Sequence, residues 1–404
     1  MSQRVRIGVF GAGRGQTMVQ TLALHPDAEL VAVCDAAAEP LARCVELAQA
    51  QNVTVTAYTD YERFLEHDMD AVVLANYANE HAPAAIRALD SGRHVVSEVL
   101  ACQHLAEAVA LVEAVERCGK VYAYAENYCY FRGTMEMRRL YREGALGEML
   151  HAEGEYVHDC RSVWPALTQG GRRDHWRQWC ASTFYITHSL GPLITSTGLR
   201  PTRLVAMETA NRLGRSVGRR GADGAVVLCQ MSNGGTVKVL PWSNYVREPG
   251  AVWYCLYGTE GMAETDRWND GVNRLHVYRE STGLQSYLPE APVALDIAAK
   301  VDGHGGSDFY TMHWFLQAIL KREETPWLID VYQALDMTIP GIQGFRSICN
   351  GSIPMDIPDL RDPAQRERYR ADIWCPDPAL AGPGQPEHPC AQGPWDFDEG
   401  LYTT

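Results

Sequence analysis

The stretch VRIGVFGAGRGQ, Val5 to Gln16, decides the fold. Val5 to Phe10 is a short apolar run that reads as a buried strand, and it enters a glycine-rich turn ahead of a helical pattern at Thr17 to Leu24. Glycines in such a turn let backbone amides approach a pyrophosphate while the helix N-terminus faces its charge. Gly11 and Gly13 fit the G-x-G-x-x-G spacing, and Arg14 lies inside the turn. The third glycine is due at Gln16, whereas Gly15 falls one place early. The second strand, Leu30 to Cys34, leads into Asp35, twenty residues beyond Gly15, where a carboxylate accepts hydrogen bonds from ribose hydroxyls. Ala36, Ala37 and Ala38 follow and supply no guanidinium for a 2′-phosphate, so the expected dinucleotide is NAD rather than NADP. A structural glycine turn and a solvent-facing aspartate are the alternatives.

Outward from this stretch the pattern repeats. Ala71 to Ala75, His94 to Ser97 and Val121 to Ala125 read as strands, with helical patterns at Pro40 to Gln49, Pro83 to Asp90 and Leu105 to Cys118. Strands alternating with helices predict an α/β class, an N-terminal doubly wound parallel-sheet Rossmann domain. After residue 126 the texture changes. Thr134 to Arg142 reads as a helix, followed by strands at Met149 to His158, Arg203 to Thr209, Ala225 to Met231, Thr236 to Leu240 and Trp253 to Tyr257. Their alternation and short polar turns predict a C-terminal α+β domain with a mainly antiparallel open sheet. Asp308 to Lys321 reads as a further helix. From Pro358 onward eight prolines and no periodicity predict an irregular arm. The expected division is 1–125 for the NAD-binding domain, 126–357 for substrate binding and oligomerisation, and 358–404 for the arm.

The chain has 404 residues with 36 Lys and Arg against 50 Asp and Glu, a net charge of −14, which argues against nucleic acid or an anionic membrane as the partner. No apolar run is long enough to span a bilayer, and the start carries no signal-peptide pattern, so a cytoplasmic protein is expected. The twelve cysteines are scattered without a C-x-x-C pair, which predicts free thiols and no metal site.

The glycine turn, Val33-Cys34-Asp35, His94 to Glu98 and the β-rich second half together resemble the Gfo/Idh/MocA oxidoreductase family over almost the whole chain. In its sugar dehydrogenases the stretch after the strand at 94–97 reads E-K-P, with the lysine at the reacting hydroxyl. Here it reads Glu98-Val99-Leu100, and valine can neither polarise a hydroxyl nor accept its proton. Five blocks are similar to the NAD-dependent glycoside hydrolases of this fold, the family 109 α-N-acetylgalactosaminidases and the related sulfoquinovosidases. They are AENYCY at 125–130, Trp176-Arg177, YITHSLGP from Tyr185 to Pro192, GHGGSD from Gly303 to Asp308, and IDVYQA from Ile329 to Ala334. Ser189 and Ser307 stand where family 109 usually has Gly and Met.

The resemblance implies hydrolysis by transient C3 oxidation, elimination, water addition and re-reduction, with NAD as cofactor. It makes His188 the base at the C3 hydroxyl and Tyr185 the group for C2 proton transfer or enolate stabilisation. Tyr185 and His188 are three residues apart, which puts both on one face of a helical turn. Glu126 ends a strand at the sheet's carboxyl edge and reads as an acid/base or substrate contact, or as a carboxylate at a helix N-terminus. Asn76 is assigned to the cofactor, and His81 and Glu98 to the nicotinamide pocket, with structural hydrogen bonding as the alternative for the last two. Trp176, Arg177, Arg173, Asn127 and His304 are assigned to substrate. Arg161, Arg172, Arg173 and Arg177 cluster near Trp164, Trp176 and Trp179, a composition suited to an anionic sugar or to a solvated loop with ion pairs. Arg200 to Arg220 reads as surface charge. The expected substrate is a sulfoquinovoside, with an N-acetylgalactosaminide next. A net sugar or inositol dehydrogenase and a non-catalytic NAD-binding regulator are the rivals, and a homo-oligomer is expected.

Overall fold

The computed structural model describes residues 3–172, 175–268, 271–290, 303–321, 325–377 and 379–380. Two compact units emerge, one of Met1–Phe131, Ala291–Leu335 and Leu360–Arg370, the other of Arg132–Glu290, Asp336–Asp359 and Ala371–Thr404.

The first unit carries six strands, β1 Val5–Phe10, β2 Ala28–Cys34, β3 Thr56–Tyr58, β4 Ala71–Leu74, β5 His94–Ser97 and β6 Tyr122–Tyr124, in the order β3-β2-β1-β4-β5-β6. Every pairing is parallel. Helices α1 Gly15–Leu24, α2 Ala38–Gln49, α3 Tyr61–Leu65, α4 His81–Asp90 and α5 Leu105–Cys118 connect them. All four residues of β4 are buried, as expected of a strand covered on both faces. Strand order reverses between β1 and β4, so the loops at Gly11 and Asn76 flank the crevice where such sheets hold ligands. A later helix, Ser307–Leu320, closes the core by packing Met312, Phe315 and Leu316 with Val5, Ile7, Met18 and Leu22.

The second unit holds nine strands, β7 Met149–Val157, β8 Pro201–Glu208, β9 Ala225–Met231, β10 Thr236–Trp242, β11 Ala251–Gly258, β12 Gly261–Thr265, β13 Leu275–Arg279, β14 Gly283–Tyr287 and β15 Met355–Asp356. Their order is β14-β13-β12-β11-β7-β10-β9-β8-β15, antiparallel except for β7 with β10. Burial alternates strictly along β9, as in a sheet with one face packed and one open. Met207 and Val226 face each other across β8 and β9, and both are exposed, as is Leu228.

The structure adds β3 and the strands β12 to β15, which are short or glycine-punctuated, and the helix Val331–Cys349, which runs through Pro340. It also differs within the stretch read as an irregular arm, where Pro363–Tyr369 is helical. Pro363 suits a first helical turn, Asp362 accepts from Ala364 N at 2.9 Å, and Arg366 pairs with Glu116 at 2.5 Å. Among the described residues no helix is long and apolar enough to cross a membrane, no cluster of metal-ligating side chains occurs, and the cysteines are free thiols.

Where α1 ends against the helix Ser307–Leu320, two imidazoles meet in the core. Asp27 N donates to His25 Nδ1 at 3.1 Å, so the proton of neutral His25 sits on Nε2 and is given to His313 Nδ1 at 3.1 Å. Burial, then the charge of His313, pushes His25 down to about 4, against the opposing pull of Asp27. The folded state therefore binds fewer protons than the unfolded chain between pH 6.5 and 4, and stability falls as the pH drops through that window. Urea unfolding at pH 7 and pH 5 should show a loss of roughly 1–3 kcal/mol from this pair, and His25→Gln should flatten the difference.

Candidate active site

The turn after β1 is shaped by three glycines with different tasks. Gly11 has φ +98°, and a Cβ there would lie 2.3 Å from the backbone of Ala75 and Asn76. Gly15 lets α1 sit on β1, since a Cβ would be 2.9 Å from Val9 Cγ1. A Cβ on Gly13 would meet nothing within 4 Å, so the turn is open on that side for an approaching phosphate. Gln16, in place of the third glycine, folds its amide back and donates to the carbonyls of Ala12 and Gly13 at 3.2 and 3.3 Å. The α1 N-terminus has no side-chain cap and no acidic residue in its first turn, which leaves its positive end for an anion.

Asp35 ties β2 to this turn. Its carboxylate accepts from Ala12 N at 2.6 Å and Ala37 N at 2.7 Å. Across the crevice, both side-chain amide atoms of Asn76 are buried without a hydrogen-bond partner. An open glycine turn, an uncapped helix and an orphaned amide at the switch point fit a dinucleotide.

A second group of residues surrounds Asp308, which has no exposed surface. Arg14 grips it with two bonds, at 2.8 and 3.0 Å, and also lies 2.9 Å from Glu98. Asn127 donates to Asp308 at 2.9 Å, and His304 Nδ1 is 3.1 Å away. Burial alone would raise Asp308, but His304 and Arg14 outweigh it and hold the carboxyl well below its usual range. Burial raises Glu98, with Arg14 pulling against it. The loop that supplies His304 is sharply bent: His304, Gly305 and Gly306 all have positive φ, and a Cβ on Gly303 would strike Asp308 and Thr17. His81 points its ring nitrogens at the carbonyls of Leu100, 2.8 Å, and Asn76, 3.2 Å. Glu126 is fully buried and accepts from Tyr128 N at 3.2 Å, capping the short turn Asn127–Tyr130.

The second unit assembles its own cluster at the start of the helix Ile186–Thr197. Tyr185 stacks on His188 with ring centroids 5.6 Å apart and planes 13° apart, and Tyr156 lies on His188 at 4.7 Å. Arg177 donates to the Tyr185 phenol oxygen at 2.7 Å while its guanidinium covers Trp176 at 4.6 Å. All twelve residues of the helix are buried, and it contains Pro192. The carbonyl of His188 would normally accept from the amide of residue 192, which proline lacks. Tyr254 replaces that donor, its hydroxyl reaching His188 O at 2.5 Å. Gly154 on β7 makes the close approach possible, since a Cβ there would lie 1.9 Å from Ser189 O.

Most residues singled out in the sequence thus fall into two groups. Gly11, Gly13, Arg14, Gly15, Gln16, Asp35, Asn76, His81, Glu98, Glu126, Asn127 and His304 belong to the first unit, and Trp176, Arg177, Tyr185 and His188 to the second. Arg173 lies outside the described residues. Sequence reasoning missed Asp308 as the hub of the first group, although it sits four residues after His304 in the glycine-rich loop. It also missed Tyr156, legible only as one face of a period-two strand, and Tyr254, for which Pro192 was the sole hint.

Fold and site together define an NAD-binding enzyme built on the Rossmann oxidoreductase plan. Residues 5–126 match the oxidoreductase family Gfo/Idh/MocA, NAD-binding Rossmann fold, and residues 222–365 match the C-terminal domain of glycosyl hydrolase 109. The chain thus carries a Gfo/Idh/MocA NAD-binding domain and a glycosyl hydrolase 109 C-terminal domain, and is an NAD-dependent glycosidase. It is 28% identical to an alpha-N-acetylgalactosaminidase of Tannerella forsythia, over 88% of this chain and 86% of that one. It is 26% identical to a glycosyl hydrolase family 109 protein of Stenotrophomonas maltophilia, over 91% of each. Among solved structures, levoglucosan dehydrogenase in complex with NADH and L-sorbose aligns with TM-score 0.73 at 18% identity, covering 89% of this chain and all of that one. An inositol dehydrogenase homolog of Azotobacter vinelandii, complexed with NADH and myo-inositol, aligns with TM-score 0.68 at 18% identity, covering 88% and 98%. These two likenesses establish the fold.

Tyr254→Phe would remove the phenol that donates to the buried His188 carbonyl, and chemical denaturation should report a loss of about 1–3 kcal/mol.

Proposed function

We propose that the protein cleaves a glycoside by oxidising the sugar C3 hydroxyl, eliminating the C1 substituent, adding water and reducing C3 again, with His188 and Tyr185 moving the protons. The observation that carries this reading is the stack of His188 on Tyr185 with Arg177 bonded to the phenol oxygen. NAD+, when bound, supplies a two-electron acceptor for C3 and returns the electrons at the end of the cycle. The residues that fit it are Gly11, Gly13, Gln16 and Asp35 around the turn, with Asn76, His81 and Glu98 nearer the nicotinamide.

His188 takes the C3 hydroxyl proton. A ketone at C3 acidifies the C2 proton, and Tyr185 either transfers it or holds the charge that develops. The guanidinium of Arg177 favours that charge, because opposite charge beside an oxygen stabilises its anionic form. Val99 cannot serve as a base, so His188 is the proton acceptor of the oxidation step. Glu126 serves as acid/base or substrate contact, while Asn127, His304 and Trp176 are assigned to the sugar.

Two sugars are in view. A sulfoquinovoside is favoured by the cationic Arg177, whose guanidinium donates to an uncharged phenol. An α-N-acetylgalactosaminide is favoured by the name of the Tannerella forsythia relative.

The test is hydrolysis of aryl sulfoquinovosides and α-N-acetylgalactosaminides in D2O with NAD+ present. The product should carry deuterium at C2 and no NADH should accumulate, whereas product without deuterium rules elimination out. His188→Ala should lower kcat by about 10² or more, and a change of only a few-fold removes it as the base.

We further infer a homo-oligomer that covers the open apolar face of the second sheet around Met207, Val226 and Leu228. Light scattering should give a mass at least twice that of the chain, and Leu228→Lys should lower it.

A further inference from the structure

Glu98 follows the last residue of β5 at the carboxyl edge of the first sheet, on the far side of the switch point from β1. A doubly wound sheet takes one nucleotide over each half, and the glycine turn and Asp35 belong to the half built on β1 to β3. The half that carries Glu98 is the one left for the nicotinamide nucleotide.

The charge around Glu98 is only partly balanced. Its side chain is buried, and Oε1 has no hydrogen-bond partner. Arg14 Nη2 stands 2.9 Å from that oxygen, yet the guanidinium directs Nη1 and Nη2 at Asp308, at 3.0 and 2.8 Å. Asp308 therefore takes the forked pairing. Among the described residues Glu98 Oε2 accepts only from the amide of Val99, at 3.3 Å. Val99 and Leu100 beside it bring no cation. His304, the other basic group here, is bonded to Asp308, and its side chain is 41% exposed, so water screens its charge.

Two carboxylates thus share one guanidinium, and Glu98 is the one short of donors. Burial raises Glu98, Arg14 pulls against the rise, and the charge of Asp308 adds to it. A buried carboxylate in that position calls for a positive charge or a hydroxyl from a ligand.

We propose that Glu98, left under-neutralised because Asp308 holds Arg14, makes the site select the oxidised dinucleotide over the reduced one. The nicotinamide ring is a cation in NAD+ and neutral in NADH, whereas sugars and phosphates are the same in both. A negative charge near the ring therefore acts on one form and leaves the other alone. The proposal goes beyond the glycosidase reading, because it concerns the state in which the enzyme rests. A cycle that begins and ends with NAD+ is stopped by a reduced cofactor that cannot be discharged. Each tenfold preference for NAD+ lowers the potential of the bound couple by about 30 mV, which eases return of the hydride to the sugar. The same charge would hinder a net dehydrogenase, whose chemistry ends with NADH on the enzyme.

The experiment is equilibrium dialysis of the enzyme against an equimolar excess of NAD+ and NADH without sugar, with each bound form quantified by chromatography. Wild type should hold NAD+ over NADH by about 10-fold or more. Glu98→Gln keeps the shape and removes the charge, and it should bring the ratio to within about 3-fold of unity. Glu98→Asp should retain part of the preference. Should Glu98→Gln fail to fold, Asp308→Asn serves instead: it releases Arg14 to neutralise Glu98 and should lower the ratio in the same direction.

A wild-type ratio of one or below overturns the proposal, as does retention of neither form. So does a ratio that stays constant in these variants while both forms bind more weakly, the result expected of a purely structural carboxylate. The glycosidase reading fails separately, by cleavage of no glycoside, and the dialysis ratio is unaffected by that outcome because no sugar is present.

Discussion

A single buried carboxylate organises the first unit. Asp308 comes from a helix almost three hundred residues beyond the glycine turn, yet it fixes Arg14 by a bidentate pair, Asn127 by a side-chain bond and His304 by a third contact. Those partners arrive from the turn after β1, the end of β6 and the bent glycine loop. A carboxylate removed from water is tolerable only when its lone pairs are taken by charged and polar donors, and here three donors take them. Arg14 is thereby drawn aside within the turn, while the open side of Gly13 and the bare N-terminus of α1 remain for phosphate. Glu98 depends on the same arginine, so the residues at the end of β5 share the anchor.

In the second unit the dependence is on shape rather than charge. Pro192 removes one backbone donor from a helix that has no access to water, and the phenol of Tyr254 supplies the replacement. The carbonyl served is that of His188, whose ring lies between Tyr185 and Tyr156. Backbone and ring of one residue are therefore held from different directions, the first by a hydrogen bond and the second by aromatic contact.

Much of this was legible in the sequence because it depends on local pattern. The glycine turn, Asp35 at a strand end, and the doubly wound alternation all follow from short-range spacing, and the strand and helix order confirms them. The family blocks around Asn127, Tyr185, His188 and His304 are contiguous stretches of the chain. What stayed hidden was pairing between distant segments. Nothing near Asp308 announces that its partner is Arg14, and nothing near Arg219 announces that Trp164 will cover it. A run of arginines looks solvated until the loop around it is known to fold inward. The helix Pro363–Tyr369 was obscured because proline density was taken as irregularity, although proline in a first turn favours a helix.

Gly154 sets a boundary on how this enzyme can be redesigned. With Ser189 O only 1.9 Å from where a side chain would begin, the strand and the helix beneath it touch backbone to backbone. No methyl group can be slipped between them to swing the imidazole toward a bulkier ring. Laboratory evolution toward new saccharides would have to leave that seam untouched and vary the tryptophan-lined loops instead.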